Sequence, residues 1–562
     1  MNVCNLIMTG VLWLGSHCLA AAVPMVENMP DFLPVARNRS AAFYYPPVGD
    51  EDVKWFSNFK VFVPGRLEPS ANEFLNRYGV KLVFYDWATG FYDHNAEYAA
   101  VAAEILNHHP DWVLNPGNPG PNHMAPERLE AYYYDMAVPE LRQLRIDLLS
   151  EKLRAKQYNG VFFDCTGFGS VWETGKWLCR SEFERRHPDL DYDDEARKFY
   201  RGLAAANPGC IIFLNQSYHQ AEKIYSVADY DLTESLMVTQ HDGPVVEVFV
   251  EGEGVVKSRE TNYRPVAEII SHCENFNRLR AQYNPELVIT HLNYMCPFLE
   301  PTGEKTGSEL MPQAVYRRTM DRQAIHFAQA VTALVGQQQY TNGDGTPHLF
   351  QADPVYLLDL GEPSGEYRRV GQCLVRNFAN GFVVVNPEHS AVNLPLRELL
   401  PARPDRLYKI YDAFNEAMLP DELETLTIPA GYYPASRRHT PSGRLFFFVC
   451  SDRFASGDRV ADELAFARTV LENSRKLPAD VPEEAVRRLE QLLDSWSALR
   501  QAATPSAGAY RAFADALIKV YRQLEAWPVT YAWQREGGRA LGRAADRLAE
   551  AIAERFGVEW QV

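Results

Sequence analysis

Between residues 41 and 336 the chain repeats one pattern, a short and nearly unbroken apolar run followed by a longer stretch with apolar positions three or four apart. Eight runs carry the strand signature: 42–45 (AFYY), 59–63 (FKVFV), 81–85 (KLVFY), 112–115 (WVLN), 160–164 (GVFFD), 210–215 (CIIFLN), 230–234 (YDLTE) and 287–292 (LVITHL). Several are apolar at successive rather than alternate positions, which suits strands covered on both faces, as in parallel sheets. The stretches between them read as helices. "PELRQLRIDLLSEKLRAKQ" opens with Pro139 at an N1 position and sets Leu141, Leu144, Leu148, Leu149 and Leu153 at helical spacing. "DDEARKFYRGLAAANPG" starts on acids and stops at Asn207-Pro208-Gly209. Eight runs joined by helical crossovers predict an α/β fold, a (β/α)8 TIM barrel over 41–338, with insertions taking it beyond the usual ~250 residues.

The pattern changes after residue 338. From 353 to 452 short strand-like runs are separated by turns, with Asn380-Gly381 as a hairpin signal inside "GQCLVRNFANGFVVVNP", and an antiparallel β-sandwich is expected. From 457 to 562 the chain is rich in Ala, Leu, Glu and Arg, with helix candidates broken near Pro478, Pro482, Pro505 and Pro528, which predicts a helical C-terminal region. At the other end, "MNVCNLIMTGVLWLGSHCLAAAVP" has the apolar run and small residues of a signal peptide over 1–22, although it lacks Lys or Arg. The expectation is an exported protein, secreted or periplasmic, with no membrane span in the mature chain.

Composition narrows the chemistry. A length of 562 residues exceeds a single hydrophobic core, so several domains are expected. A formal charge of −17 argues against nucleic acid as a partner and favours neutral or cationic ones. The nine cysteines show no CxxC or knuckle spacing, so no zinc site is indicated, while Cys165 and Cys179 could form a loop disulfide. Phosphate loops, dinucleotide fingerprints, H-E-x-x-H and G-x-S-x-G are absent from the sequence.

The candidate chemistry lies at the ends of the runs, where barrels place their active sites. Asp164 closes the apolar run of "NGVFFDCTGFG" and is the first candidate acid. Glu234, in "ADYDLTESLMV", is the second, with Asp231 competing because that run alternates. Two carboxylates flanking a bond are the usual apparatus of glycosidic cleavage. Around them, Tyr45, Asp86, Trp87, Asn215, Tyr218 and His291 supply the aromatic and hydrogen-bonding mixture of a sugar site. Taken singly, Trp87, Tyr218 and Tyr45 suit packing equally well. Asp86 could instead be structural, and His291 could serve a metal-dependent hydrolase.

The pieces "FYYPP", "GVFFDCTG" and "ADYDLTESL" resemble TIM-barrel carbohydrate-active proteins, namely the endo-α-1,4-polygalactosaminidases of glycoside hydrolase family 114 and the glycosyl-hydrolase-like family 15 proteins. The resemblance covers about residues 41 to 336 and implies Asp164 and Glu234 as the catalytic pair, Asp164 as nucleophile or base and Glu234 as proton donor. It departs from the family at Asp86-Trp87, where a Gly-Glu pair is expected, and this bears on the substrate. The implied activity is hydrolysis of a polysaccharide, with an amino-sugar polymer favoured by the chain's negative charge and no cofactor required. The competing expectation is a silent carbohydrate-binding or scaffold protein, whose helical tail docks an unknown partner.

Overall fold

The structure is a computed structural model and describes residues 25–36, 41–47, 50–93, 98–121, 129–167, 173–234, 236, 238–239, 245–250, 254–260, 262–292, 298–299, 322–340, 353–388, 390–400, 407–433, 438–440, 442–454, 456–477 and 481–557. The expected signal segment 1–22 lies outside these residues. The chain divides into two compact units, one of Ala36–Pro401 with Glu424–Leu445, the other of Met1–Val35, Ala402–Leu423 and Phe446–Val562.

The larger unit is built on one eight-stranded sheet, ordered β1 (Ala41–Pro47), β2 (Val61–Arg66), β3 (Lys81–Trp87), β4 (Gly160–Asp164), β5 (Ile211–Asn215), β6 (Tyr230–Glu234), β7 (Val288–Leu292) and β8 (Gln338–Tyr340). Every neighbouring pair is parallel. The sheet curls until β1 and β8 lie side by side, with Cα atoms within 8 Å. Its concave face is filled by Ala41, Val61, Val63, Val83, Phe162, Phe213, Tyr230, Leu232 and Leu292, with Tyr85, Ile211 and Val288 packed against them. Four successive strands contribute an aromatic layer: Tyr85 stacks on Phe162 at 5.9 Å, Phe162 meets Phe213 edge-on at 5.1 Å, and Phe213 meets Tyr230 at 5.1 Å. Such contacts add about 0.5–1.5 kcal/mol each beyond the area they bury. At the start of β4, Gly160 is required, because a Cβ there would stand 2.4 Å from the Ile211 carbonyl oxygen.

Two strand expectations need correction. The run 112–115 is no member of the sheet: Pro110–Trp112 is a 3-10 turn and Val113 makes one isolated antiparallel bridge to Tyr134. It belongs to an excursion between β3 and β4 that holds a small antiparallel sheet of Gly90–Tyr92, Leu129–Tyr133 and Gly120–Pro121. Val113 and Leu114 of "WVLN" are buried beside that sheet, so hydrophobicity alone could not separate them from a barrel strand. The eighth place goes to β8, whose residues Gln338, Gln339 and Tyr340 pair with Thr290, His291 and Leu292. Its polar sequence hides it from any search for apolar runs.

Beyond the parallel sheet, the larger unit carries the antiparallel ladder of Arg368–Val370, Cys373–Phe378 and Gly381–Asn386, the last two joined at the predicted Asn380-Gly381 hairpin. The second unit contains four long helices, Arg459–Ser474, Glu483–Gln501, Ala507–Glu525 and Glu536–Phe556. Asp458 caps the first, accepting from the backbone N–H groups of Val460 and Ala461, and Ser506 caps the third through Ala509 N–H. Among the described residues no helix is long and apolar enough to cross a membrane. Cys165 and Cys179 are free thiols, so the loop disulfide that the sequence allowed is not formed.

Candidate active site

Strand alternation decides which side chains reach the interior. On β4, Phe162 fills the core and Asp164, two residues on, takes the same side at the carboxyl end of the strand. On β5, Ile211 and Phe213 lead to Asn215, and on β6, Tyr230 and Leu232 lead to Glu234. Three neighbouring strands thus end on inward-facing polar groups, in the place where barrels carry their chemistry.

The contacts among them are direct. Asn215 Nδ2 donates to Asp164 Oδ1 at 3.0 Å and to Glu234 Oε1 at 2.7 Å, so one amide nitrogen spans both carboxylates. Two oxygens held by one nitrogen lie less than about 6 Å apart, at the short end of the range seen between catalytic carboxyl pairs. Asp164 accepts two further bonds, from Tyr85 OH to Oδ2 at 2.8 Å and from the Cys165 backbone N–H to Oδ1 at 2.8 Å. Both acids are half-buried, while Asn215 is only 3% exposed.

The backbone just beyond these strands is unusual. Cys165 follows Asp164 with φ +50° and Gln216 follows Asn215 with φ +51°, left-handed conformations that cost a non-glycine residue about 1–3 kcal/mol and cluster at functional sites. The turn after Asp164 is pinned by Thr89 Oγ1 donating to the Cys165 carbonyl, Tyr200 OH to the Thr166 carbonyl and Thr166 Oγ1 to the Asn215 carbonyl. Burial, with Asp164 and then Glu234 nearby, pushes the Cys165 thiol well above its ordinary range, which keeps it protonated and unsuited to nucleophilic attack.

Asp231, the competitor of Glu234, sits on the opposite face of β6. It is fully buried, accepts from Ser217 N–H at 2.9 Å, Ser217 Oγ at 2.7 Å and Tyr225 OH at 2.9 Å, and burial pushes its pKa up to about 6. Asp86 likewise has the outward parity on β3 and pairs with the buried Arg145 at 3.2 Å. That guanidinium also donates to the Trp87 carbonyl and lies 5.0 Å from the Tyr134 ring centre. The pair joins β3 to the helix Pro139–Ala155, an assignment of Asp86 to structure rather than to the cavity.

Trp87 has the inward parity and stands beside Asp164 in the register, buried against Tyr92 at 4.5 Å and Tyr133 at 5.5 Å. Tyr218 is half-buried on the 3-10 turn Ser217–Gln220, against Phe276 at 4.8 Å, and burial, Asp231 and Glu234 raise its pKa. His291 is turned away from the interior: it is fully buried, its Nε2 lies 2.5 Å from Gln337 Oε1, and burial pulls its pKa down to about 4. Gln337 in turn donates to the Cys273 carbonyl on the helix Val266–Tyr283, so His291 fastens strand to helix. Tyr45 lies on β1, its side chain outside the described residues. Among the described residues no group of three or more His, Cys, Asp and Glu is arranged to hold a metal ion.

Sequence reasoning overlooked Tyr85, the phenol that holds Asp164. The same step of two that links Phe162 to Asp164 links Val83 to Tyr85, and would have found it. Two cavities lie away from the acids. One, of about 770 Å³, is lined by Gly65, Leu67, Phe84 and Tyr158, where β2 and β3 part after pairing only at Val61 with Lys81 and Phe62 with Leu82. The other, of about 650 Å³, touches Cys210, Ile212 and Tyr230 at the amino ends of the strands.

No family model matches the chain, and no curated protein matches it. Solved structures similar to it include the glycoside hydrolase domain of PelA from Pseudomonas aeruginosa, at 18% identity, covering 46% of this chain and 85% of that one with a TM-score of 0.31. Ega3 from Aspergillus fumigatus, in complex with galactosamine, is 12% identical over 50% of this chain and 88% of its own, with a TM-score of 0.28. A maltogenic alpha-amylase, AmyB from Thermotoga neapolitana, is 12% identical over 75% of this chain and 100% of its own, with a TM-score of 0.36.

Proposed function

We propose that the chain is a glycoside hydrolase acting on a polysaccharide through Asp164 and Glu234. The observation that carries this reading is the pair of inward carboxylates at the ends of β4 and β6, joined by one amide nitrogen from β5 between them. Asp164 receives donors on both of its oxygens, an arrangement that orients the carboxylate and suits a nucleophile. Glu234 is then the proton donor to the leaving oxygen and, in the second step, the base that activates water. The short spacing favours the retaining course, in which Asp164 bonds to the anomeric carbon as the leaving group departs.

The finer reading includes a (β/α)8 catalytic barrel over 41–338, an antiparallel β-sandwich over 353–452, a helical region over 457–562 and export through the segment 1–22. Trp87 and Tyr218 would flank the sugar. The preferred substrate class is an amino-sugar polymer, whose cationic groups suit a chain of net charge −17.

The test is release of soluble oligosaccharides from a panel of neutral and amino-sugar polysaccharides, with proton NMR of the first-formed anomer. Release by the wild type, lost in Asp164→Asn and Glu234→Gln, with retention of anomeric configuration, is the expected result. Binding of a polymer without release, unchanged by either substitution, would replace the hydrolase with a silent carbohydrate-binding protein.

A further inference from the structure

We infer that Asn215 is a positioning residue that holds the two carboxylates at their working separation and passes its stronger hydrogen bond from one to the other as charge moves between them. The inference rests on the hydrolase reading and adds a role to it.

An amide –NH2 has two N–H bonds about 120° apart, and here both are committed, at 3.0 Å to Asp164 and 2.7 Å to Glu234. The orientation is set by the acids themselves. Asn215 Oδ1 is buried and has no hydrogen-bond partner among the described residues. Turning the amide over would set that oxygen against two carboxylate oxygens and leave both N–H groups in its place. The side chain has little freedom otherwise, since Asn215 is 3% exposed, its carbonyl accepts from Thr166 Oγ1, and Gln216 follows it in a left-handed turn.

A hydrogen bond to an ionised partner is roughly twice as strong as one to a neutral partner. Before reaction the cycle requires the charge on Asp164 and the proton on Glu234, so the Asp164 bond, 3.0 Å in this structure against 2.7 Å to Glu234, has to become the stronger of the two. When Asp164 forms its bond to the anomeric carbon, Glu234 gives its proton to the leaving oxygen and becomes the carboxylate. The stronger bond then runs to Glu234, with no atom of Asn215 displaced. Water attack reverses both changes. A single fixed donor thus serves both halves of the cycle, which a cation could do only by holding both acids ionised. Among the described residues, the other titratable groups facing the pair are Tyr85 and the Cys165 thiol at Asp164 and Tyr218 near Glu234.

The test needs no turnover. Carboxyl carbon NMR of the full chain labelled at Asp and Glu gives the titration midpoints of Asp164 and Glu234, assigned with Asp164→Asn and Glu234→Gln. Asn215→Ala removes the donor, and the pair is expected to ionise about one unit higher, the value of one hydrogen bond to a charged group. Asn215→Asp keeps the shape; it is expected to raise the midpoints further, and, where a substrate has been found, to move the rate optimum to lower pH, where the new carboxyl is protonated and can again donate. Midpoints in both variants equal to those of wild type would overturn the positioning role, even if thermal stability fell. Shifted midpoints in a chain that hydrolyses no polymer would leave the clamp standing and remove the hydrolase.

Discussion

The two units each contain closely spaced acids, and they satisfy them in opposite ways. In the second unit Glu463 and Glu536 are buried, and each is matched by a cation: Lys409 Nζ lies 2.9 Å from Glu463, and Arg543 reaches Glu463 at 3.0 Å and Glu536 at 3.4 Å. Lys409 also pairs with Asp421, which Arg547 joins to Glu422. Removing any member of such a cluster leaves an unmatched buried charge. At the barrel mouth Asp164 is held by a phenol, a backbone N–H and an amide, all neutral donors. Neutral donors orient a carboxylate without fixing its charge. In the proposed hydrolase, the difference separates acids that hold a fold together from acids that work on a substrate.

The comparison can be broken by substitution. Asp164→Asn and Glu234→Gln are expected to lower kcat by about 10²–10⁴-fold, the usual worth of a nucleophile or general acid. Both should leave the melting temperature nearly unchanged, which scanning calorimetry beside the release assay would establish. Lys409→Met should do the reverse. It leaves Glu463 and Asp421 short of a cation, so a loss of about 3–5 kcal/mol is expected in urea unfolding, with native turnover intact. A fall in turnover under native conditions would erase the distinction between the clusters. Tyr85→Phe removes one of Asp164's three donors and should slow kcat by about tenfold, corresponding to one hydrogen bond to a charged group, with KM little changed.

The smallest effect in the wild type is a pair of opposed pH dependences on the outer face. Asp231, raised by burial to about 6, keeps in the folded state a proton that the unfolded chain has released. Its contribution to stability is full below its unfolded pKa near 3.9 and is lost as pH rises through about 6. His291, lowered by burial to about 4, behaves oppositely. Its contribution is full above its unfolded pKa near 6.5 and is lost as pH falls through about 4. The two slopes offset one another in the same window. Asp231→Asn should therefore steepen the loss of stability toward acid, and His291→Gln should flatten or reverse it, read as denaturation midpoints between pH 4 and 7. Parallel curves for the two variants and wild type would show that neither group is buried as described.

Much of this was legible from local pattern. Seven of the eight apolar runs became strands of the parallel sheet, and the two acids singled out at run ends are the two that meet. Asp86 stayed open between substrate and structure, because a strand-end acid looks alike on either face until pairing fixes the parity, and its partner Arg145 lies far along the chain. The strand 338–340 went unseen because its place in the sheet is set by pairing with β7 rather than by apolar residues of its own.

The sequence by itself determined where apolar runs begin and end, where helices are capped or broken, and that Asp164 and Glu234 close their strands. These follow from side-chain polarity and backbone propensity, which act over a few residues. Only the tertiary structure decided that Glu234 rather than Asp231 faces inward, that Tyr85 reaches Asp164 and that Asn215 spans both acids. Those outcomes depend on sheet register and curvature, and a shift of one residue would have sent each of these side chains to the other face.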